Sequence, residues 1–344
     1  MDPQHLARYA RHLTLPGFGE EGQEKLLRSK VLVIGAGGLG SPVLTYLAAA
    51  GVGHITVFDD DTVELSNLQR QTIHQESSVG ELKVASAKRA LAQLNSSISV
   101  RTMGERLTPN NALELFQEHD LVIDGADNFA TRYLSNDAAE LTGTPLVWGT
   151  IMQFSGQISV FHPGRGPMLR DLFPDIPDAD SVPSCAVGGV LGALAGQVGS
   201  MMVIEAIKVL TGVGEPLIGR LLLIDALNAT TRTLKFERDP QRSPVTSLAE
   251  LEAVCAVVAV VDQPVGLLVD VREPDEFAAG HIPGAINVPL GEVYQWQAPE
   301  GPVTFSCKTG VRSAEAVRRV GGEQRFSLRG GYDRWVLEQQ PQQG

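Results

Sequence analysis

The 344-residue chain is predicted to be α/β: a doubly wound, mostly parallel sheet followed by a smaller α/β domain. Three observations predict it. Short apolar strands alternate with helices of about 8–12 residues through the first half. A glycine run, Gly35 to Gly40, sits between a strand and a helix. A polar stretch with two prolines, Phe236 to Pro244, interrupts the pattern before it begins again, and one core stops growing at about 250–300 residues.

The elements run in order along the chain. Lys30 to Gly35 (KVLVIG) is an apolar strand ending in glycine, and Ser41 to Ala50 is helical. His54 to Phe58 (HITVF) is a strand that ends in Asp59-Asp60-Asp61. Then come helix Lys83 to Leu94, strand Ile98 to Thr102, helix Asn110 to Glu118, strand Leu121 to Asp124, helix Thr131 to Leu141 and strand Pro145 to Gly149. Gln157 to Phe161 and Arg220 to Asp225 are later strands. The predicted boundaries are 1–236 for the first domain, 237–246 for a linker and 247–341 for the second. Ser247 with Glu250 is a capping-box helix start. Leu267 to Val271 and Val303 to Ser306 are strands, Asp275 to Ala279 and Ser313 to Val320 helices, and Gln339 to Gly344 a polar tail.

Composition excludes several classes. The net charge of −12, with neither half basic, argues against a nucleic-acid or anionic-membrane surface. Three cysteines make neither a disulfide framework nor a four-thiolate zinc site, and reduced thiols fit the cytoplasm. Met1 to Leu15 lacks the apolar stretch of a secretory signal. Val187 to Ile204 is free of charge, but its glycines, Gln197 and Ser200 favour a packed core helix over a membrane span; Gly188, Gly192 and Gly196 would share one face.

A first site lies at the glycine run. Gly35, Gly37, Gly38 and Gly40 let backbone N–H groups and a helix N-terminus approach phosphate oxygens, and Asp59, with Asp61 in the same turn, can accept ribose hydroxyls. That much fits an NAD enzyme equally well. The residues beyond the acidic turn suit a triphosphate with Mg²⁺: Arg70 and Lys83 as cations, and Asp127, with Asn128, after a third strand.

The stretches RYARHLTLPGFGEEGQEKL, VLVIGAGGLGSPVLTYLAAAGVGHITVFDDDTVELSNLQRQ, GELKVASAK, DGADNFATRY and GQISVF together resemble the ubiquitin-activating-type adenylyltransferases, in the bacterial branch serving molybdopterin and thiamine biosynthesis. The resemblance covers Arg8 to Lys235. It implies a Rossmann-like domain that activates the C-terminal Gly-Gly carboxylate of a ubiquitin-like sulfur carrier as an acyl-adenylate. It also implies that Gly38, Asp59, Ser66, Asn67, Leu68, Gln69, Arg70, Lys83, Asp127 and Asn128 contact ATP, with Asp127 helping to hold Mg²⁺. Arg11 matches an arginine that reaches the partner subunit's phosphates, which implies a homodimer. Where the family often places two Cys-x-x-Cys pairs, this chain reads PMLRDLF (167–173) and RDPQRSPV (238–245), so no structural zinc is expected. Cys185 precedes the glycine-rich helix, whose N-terminus would favour a thiolate, and it matches the transfer cysteine of sulfur-handling members; the alternative is a small buried thiol.

A second site lies at Cys307-Lys308-Thr309-Gly310-Val311-Arg312-Ser313, between a strand and a helix. Successive backbone N–H groups and Arg312 would activate the thiol, and four residues between Cys307 and Arg312 make a ring tighter than that of a thiolate phosphatase. With DVREPDEF (270–277), GHIPGA (280–285) and LRGGYDRW (328–335), this resembles a rhodanese domain over Val245 to Glu338. The resemblance implies a persulfide on Cys307 within the loop Lys308 to Arg312, structural roles for Asp270, Arg272 and His281, and a cysteine desulfurase or thiosulfate as sulfur donor. Cys255 reads as a core thiol. Two other readings stay open: an NAD-dependent oxidoreductase fused to a redox module, and a non-catalytic sulfur relay.

Overall fold

A computed structural model describes residues 1–176, 189–251 and 258–339, and the chain divides into two compact units near residue 252. Cys185 and Cys255 lie outside the described residues.

The first unit opens with three helices, α1 (Pro3–Arg8), α2 (Ala10–Leu13) and α3 (Gly19–Arg28). The sequence pattern assigns this stretch no structure, because the first two helices bury none of their own residues. The winding continues as β1 (Lys30–Ile34), α4 (Gly40–Ala50), β2 (His54–Phe58), α5 (Lys83–Leu94), β3 (Ser99–Met103), α6 (Pro109–Gln117), β4 (Leu121–Asp124), α7 (Phe129–Thr142) and β5 (Leu146–Met152). After these come β6 (Ser155–Phe161), α8 (Leu169–Leu172), α9 (Gly192–Thr211), β7 (Arg220–Asp225) and β8 (Thr230–Lys235). The strands form one sheet in the order β3-β2-β1-β4-β5-β6-β7-β8. The pairs from β3 to β5 are parallel, and those from β5 to β8 antiparallel. Central strands carry continuous apolar runs because helices cover both faces: Val31, Leu32 and Val33 of β1 are fully buried. The order places β1 beside β4, so both end at one edge of the sheet, where parallel α/β sheets bind ligands.

The glycine-rich stretch is the core helix α9, with Leu194, Ala195, Val198 and Met202 buried in the main apolar cluster. Among the described helices it alone is long and apolar enough to cross a membrane. The expected stripe of glycines at every fourth residue differs from what is observed. Gly188 lies outside the described residues, and Gly196 has open space where a Cβ would point. The close approaches are at Gly199, where a Cβ would press on Pro42 and the Leu39 carbonyl of α4, and at Gly192, where it would meet the Gln69 carbonyl. The helix starts at Gly192, so its face is set by contact with α4 rather than by the spacing of glycines.

The stretch read as a linker is packed down. Arg242 donates to Asp171 Oδ1 (2.7 Å) and to Glu140 Oε2 (3.0 Å). The Asp171 side chain is wholly buried, and it also accepts the N–H groups of Met168 (2.6 Å) and Asp239 (3.2 Å). Next to it Arg170 makes a two-pronged pair with Asp137, both bonds 2.7 Å. The Arg242–Asp171 pair joins 167–173 to 238–245, the two stretches where the resembling family places its cysteine pairs, while Glu140 and Asp137 tie each of them to α7. The expected helix after Ser247 is a single 3-10 turn, Ala249–Leu251, as far as the chain is described.

The second unit is a five-stranded parallel sheet in the order β11-β10-β12-β13-β9. Its elements are β9 (Ala259–Val261), β10 (Leu267–Asp270), α10 (Pro274–Ala278), β11 (Ile286–Asn287), β12 (Val303–Ser306), α11 (Val311–Val320), β13 (Arg325–Leu328) and α12 (Gly331–Gln339). Asp270 and Arg272 form a buried pair, and Arg272 also bonds the Gly280 carbonyl (2.7 Å) and lies over the Tyr332 ring. His281 stacks on Phe277 and donates from Nδ1 to the Phe277 carbonyl (3.0 Å).

Candidate functional site

The first site is built on the turn from β1 to α4. Gly35 has φ +92°, and a Cβ on Gly40 would collide with the Gly35 carbonyl oxygen, so both positions need glycine for helix and strand to meet this closely. Asp59, at the end of β2, accepts the N–H of Ala36 (2.7 Å) and of Asp61 (2.8 Å). Its carboxylate is therefore spent partly on the turn itself. Burial raises the Asp59 pKa, against the pull of Lys83 and these two N–H groups.

Lys83 begins α5 and is 6% exposed, with Nζ 2.8 Å from Asp61 Oδ2. Burial presses its pKa down, but the carboxylates of Asp59, Asp61 and Asp127 outweigh that, so the net shift is upward and the ammonium stays charged. Asp127 is exposed just beyond β4. Asn128 spends its side-chain oxygen capping α7 by accepting the Thr131 N–H (2.9 Å). Asp124 at the end of β4 is fully buried, which raises its carboxyl to about 6; one oxygen accepts the Ala126 N–H, and the other has no partner among the described residues.

Arg70 runs over the turn, its Cγ and Cδ 3.5 Å from where a Cβ on Gly38 would lie. Ser66 and Asn67 form a short 3-10 turn (Leu65–Asn67) in which Asn67 Oδ1 accepts the Glu64 N–H (3.2 Å). Leu68 is half-buried, and Gln69 abuts the start of α9. The structure thus gathers Gly35 to Gly40, Asp59, Asp61, Arg70 and Lys83. Arg11 is not brought to them: it lies exposed on α2, whose neighbouring Tyr9 packs at Gly51, the far end of α4.

Two further residues lie at the turn: Gln71, which ends the SNLQRQ run but is given no role by it, and His74, which carries no motif and escapes sequence reasoning. Gln71 is 4% exposed, its Nε2 lies beside Gly37, and its Oε1 has no partner among the described residues. His74 is equally buried, with Nε2 2.8 Å from the Ala36 carbonyl and Nδ1 3.0 Å from Ser86 Oγ. A carbonyl only accepts, so Nε2 carries the proton and Nδ1 accepts the Ser86 hydroxyl. Burial lowers the His74 pKa, and Lys83 adds to the effect. A buried amide oxygen left unpaired next to a glycine turn marks a place made for a bound group.

The second site is the loop between β12 and α11. Cys307 is 1% exposed, and its Sγ accepts the Gly310 N–H (3.1 Å) and faces Ser313 Oγ (3.7 Å). Gly310, at φ +105°, turns the chain into α11. Ser313 bonds the Gly310 carbonyl (3.0 Å) and Ser327 (2.8 Å), and Tyr332 N–H holds the Cys307 carbonyl (2.8 Å). Arg312 departs from expectation. Its guanidinium makes a two-pronged pair with Glu276 (2.6 and 2.9 Å), so its charge is balanced rather than added to the loop. Lys308 stays exposed.

The ThiF family model matches residues 9–245, and the rhodanese-like domain model matches residues 256–338. The chain belongs to the ThiF family. This ThiF-family chain is 45% identical over 370 residues to the probable adenylyltransferase/sulfurtransferase MoeZ of Mycobacterium tuberculosis, covering 98% of this chain and 94% of that protein. It is 50% identical to the sulfur carrier protein adenylyltransferase of Thermus thermophilus, over 74% of this chain and 98% of that one. It is 40% identical to the adenylyltransferase and sulfurtransferase MOCS3 of Aedes aegypti, over 93% and 82%. Among solved structures, E. coli MccB with ATP has the same fold, with TM-score 0.62 at 23% identity over 69% of this chain and 74% of that one. The ThiF-type sheet and the rhodanese-like unit are the two domains expected from sequence.

Proposed function

We propose that the chain adenylylates the C-terminal Gly-Gly carboxylate of a ubiquitin-like sulfur carrier and then replaces the nucleotide with sulfur carried on Cys307. The observation that carries this reading is the presence of both chemistries on one chain. A phosphate-ready glycine turn sits beside the charged Lys83, and a buried thiol sits in a backbone loop. Full-length relatives named for both activities support it.

The carrier carboxylate attacks the α-phosphorus of ATP, and pyrophosphate leaves. Backbone N–H groups of Gly37 and Gly38, with Arg70 and Lys83, would bind the phosphates, and Ser66 to Gln69, Gln71 and Asn128 would line the rest of the pocket. Asp127 is the exposed carboxylate suited to Mg²⁺, which neutralises phosphate charge when bound. The terminal sulfur of a Cys307 persulfide then attacks the acyl carbon and releases AMP, giving an acyl disulfide. The Cys185 thiolate attacks the Cys307 sulfur of that disulfide. The carrier leaves as a thiocarboxylate, and a disulfide remains between the two cysteines, which a cytoplasmic thiol reductant resets. Arg11 acts across a homodimer in this reading, and the ion pairs of Arg242 stand in place of zinc.

Carrier-dependent ATP–pyrophosphate exchange tests the first half. Exchange with a Gly-Gly-ended carrier from the same cell is expected; no exchange with any such carrier overturns the proposal.

Donor choice gives a further expected result. Thiosulfate is a dianion, and the Glu276 carboxylate cancels Arg312 next to the loop. Glu276→Gln is expected to raise kcat/KM for thiosulfate about 3- to 10-fold by freeing that charge. An unchanged value in a thiosulfate–cyanide assay would show that the pair has no part in donor choice.

A further inference from the structure

We propose that His74 is a positioning residue: by holding the Ala36 carbonyl it aims the Gly37 N–H at the phosphates of the nucleotide. The inference rests on the nucleotide reading of the glycine turn.

In a trans peptide the carbonyl and the N–H that follows it point in opposite directions. The Ala36 carbonyl is bonded by His74 Nε2–H from behind the turn (2.8 Å). The N–H of the same peptide unit, that of Gly37, therefore faces away from His74. The preceding unit is fixed in the same manner by Asp59, which takes the Ala36 N–H at 2.7 Å. Two side chains thus lock the two peptide planes that open the cradle. Gln71 lies against the same turn, its Nε2 3.5 Å from where a Cβ on Gly37 would sit, and its buried Oε1 has no partner among the described residues.

His74 also joins the turn to the helix that carries Lys83. Its Nδ1 is bonded to Ser86 of α5, three residues after Lys83. A rotation of the imidazole would shift both anchors at once. Carboxamides separate this from mere filling: the Gln amide reaches about as far as Nε2, and the Asn amide only about as far as Nδ1.

The test is nucleotide binding to the full chain by titration calorimetry, with ATP and with adenosine as probes. His74→Leu and His74→Asn are expected to weaken ATP about 10- to 100-fold while leaving adenosine within about twofold, and His74→Gln is expected to stay within about threefold for both. Equal affinity for ATP in all three variants overturns the proposal. So does a parallel loss of adenosine, which would mean that His74 only holds the pocket together. If the wild-type chain binds ATP but supports no carrier-dependent exchange, the adenylylation reading fails and the His74 result still stands. If it binds neither probe, both fall.

Discussion

Cys307→Ala is expected to leave carrier-dependent ATP–pyrophosphate exchange within about twofold of wild type and to reduce carrier thiocarboxylate to background. The two half-reactions use different groups. Activation of the carboxylate needs the glycine turn and Lys83 of the first unit, whereas Cys307 belongs to the second, where it packs in the apolar cluster with Val269, Val303 and Phe305. Sulfur transfer needs the thiol itself, because the Cys307 Sγ is the atom that the Gly310 N–H addresses. The measurement is mass spectrometry of the carrier after incubation with ATP and a persulfide donor, beside the exchange assay. Thiocarboxylate made at the wild-type rate by the variant would remove Cys307 from the route. Loss of exchange as well would mean that the substitution disturbs the first unit.

Arg242→Ala is expected to cost about 3–5 kcal/mol, because it leaves the Asp171 carboxylate buried without its counter-charge. In a unit of this size that lowers Tm by about 10 °C. The Arg242–Glu140 pair goes with it, so the substitution opens the contact between 238–245 and the body of the sheet domain. The sign of the pH dependence comes from Asp171. Burial pushes its pKa up, but the Arg242 guanidinium and the bonded N–H groups outweigh this and hold it below the usual carboxylate range. Its contribution is therefore complete above the unfolded-state pKa of an aspartate and is lost as pH falls through the lower, folded value. The Tm gap between wild type and Arg242→Ala should be largest near neutrality and should shrink as acid protonates Asp171, first in the variant, where the guanidinium no longer holds its pKa down, and then in the wild type. A stability difference below about 1 kcal/mol at neutral pH would show that the pair behaves like a surface salt bridge.

How much of the molecule is legible in its sequence depends on the range over which each feature is specified. The β1–turn–α4 unit is readable because strand, glycines and helix are contiguous, and steric demands at Gly35 and Gly40 act within six residues. Lys83 is readable as the start of a helix, but its contact with Asp61, 22 residues away, is not. His74 carries no signal, since its role comes from a bond to Ala36 across 38 residues. Arg312 shows its sign but not its partner: Glu276 lies on α10 and reaches it only once the sheet has formed. Arg242 is the largest misreading. Among prolines and charges it looks like linker, and only the fold brings Asp171 and Glu140 to it across 71 and 102 residues. Local sterics and apolar periodicity are written in neighbouring residues; charge pairing is written in tertiary distance.

The clasp around Arg242 has a consequence for how the protein withstands its own chemistry. A clasp made of metal-bound thiolates can be dismantled by a chelator, and any persulfide or peroxide that oxidises those thiolates releases the metal. Arg242, Asp171 and Glu140 contain no sulfur and bind nothing that can be stripped away. None of the chain's three cysteines lies in 167–173 or 238–245. The sheet domain is thus expected to keep its melting temperature in EDTA and under mild oxidation that consumes every reactive thiol, so that sulfur traffic can go wrong without taking the scaffold with it.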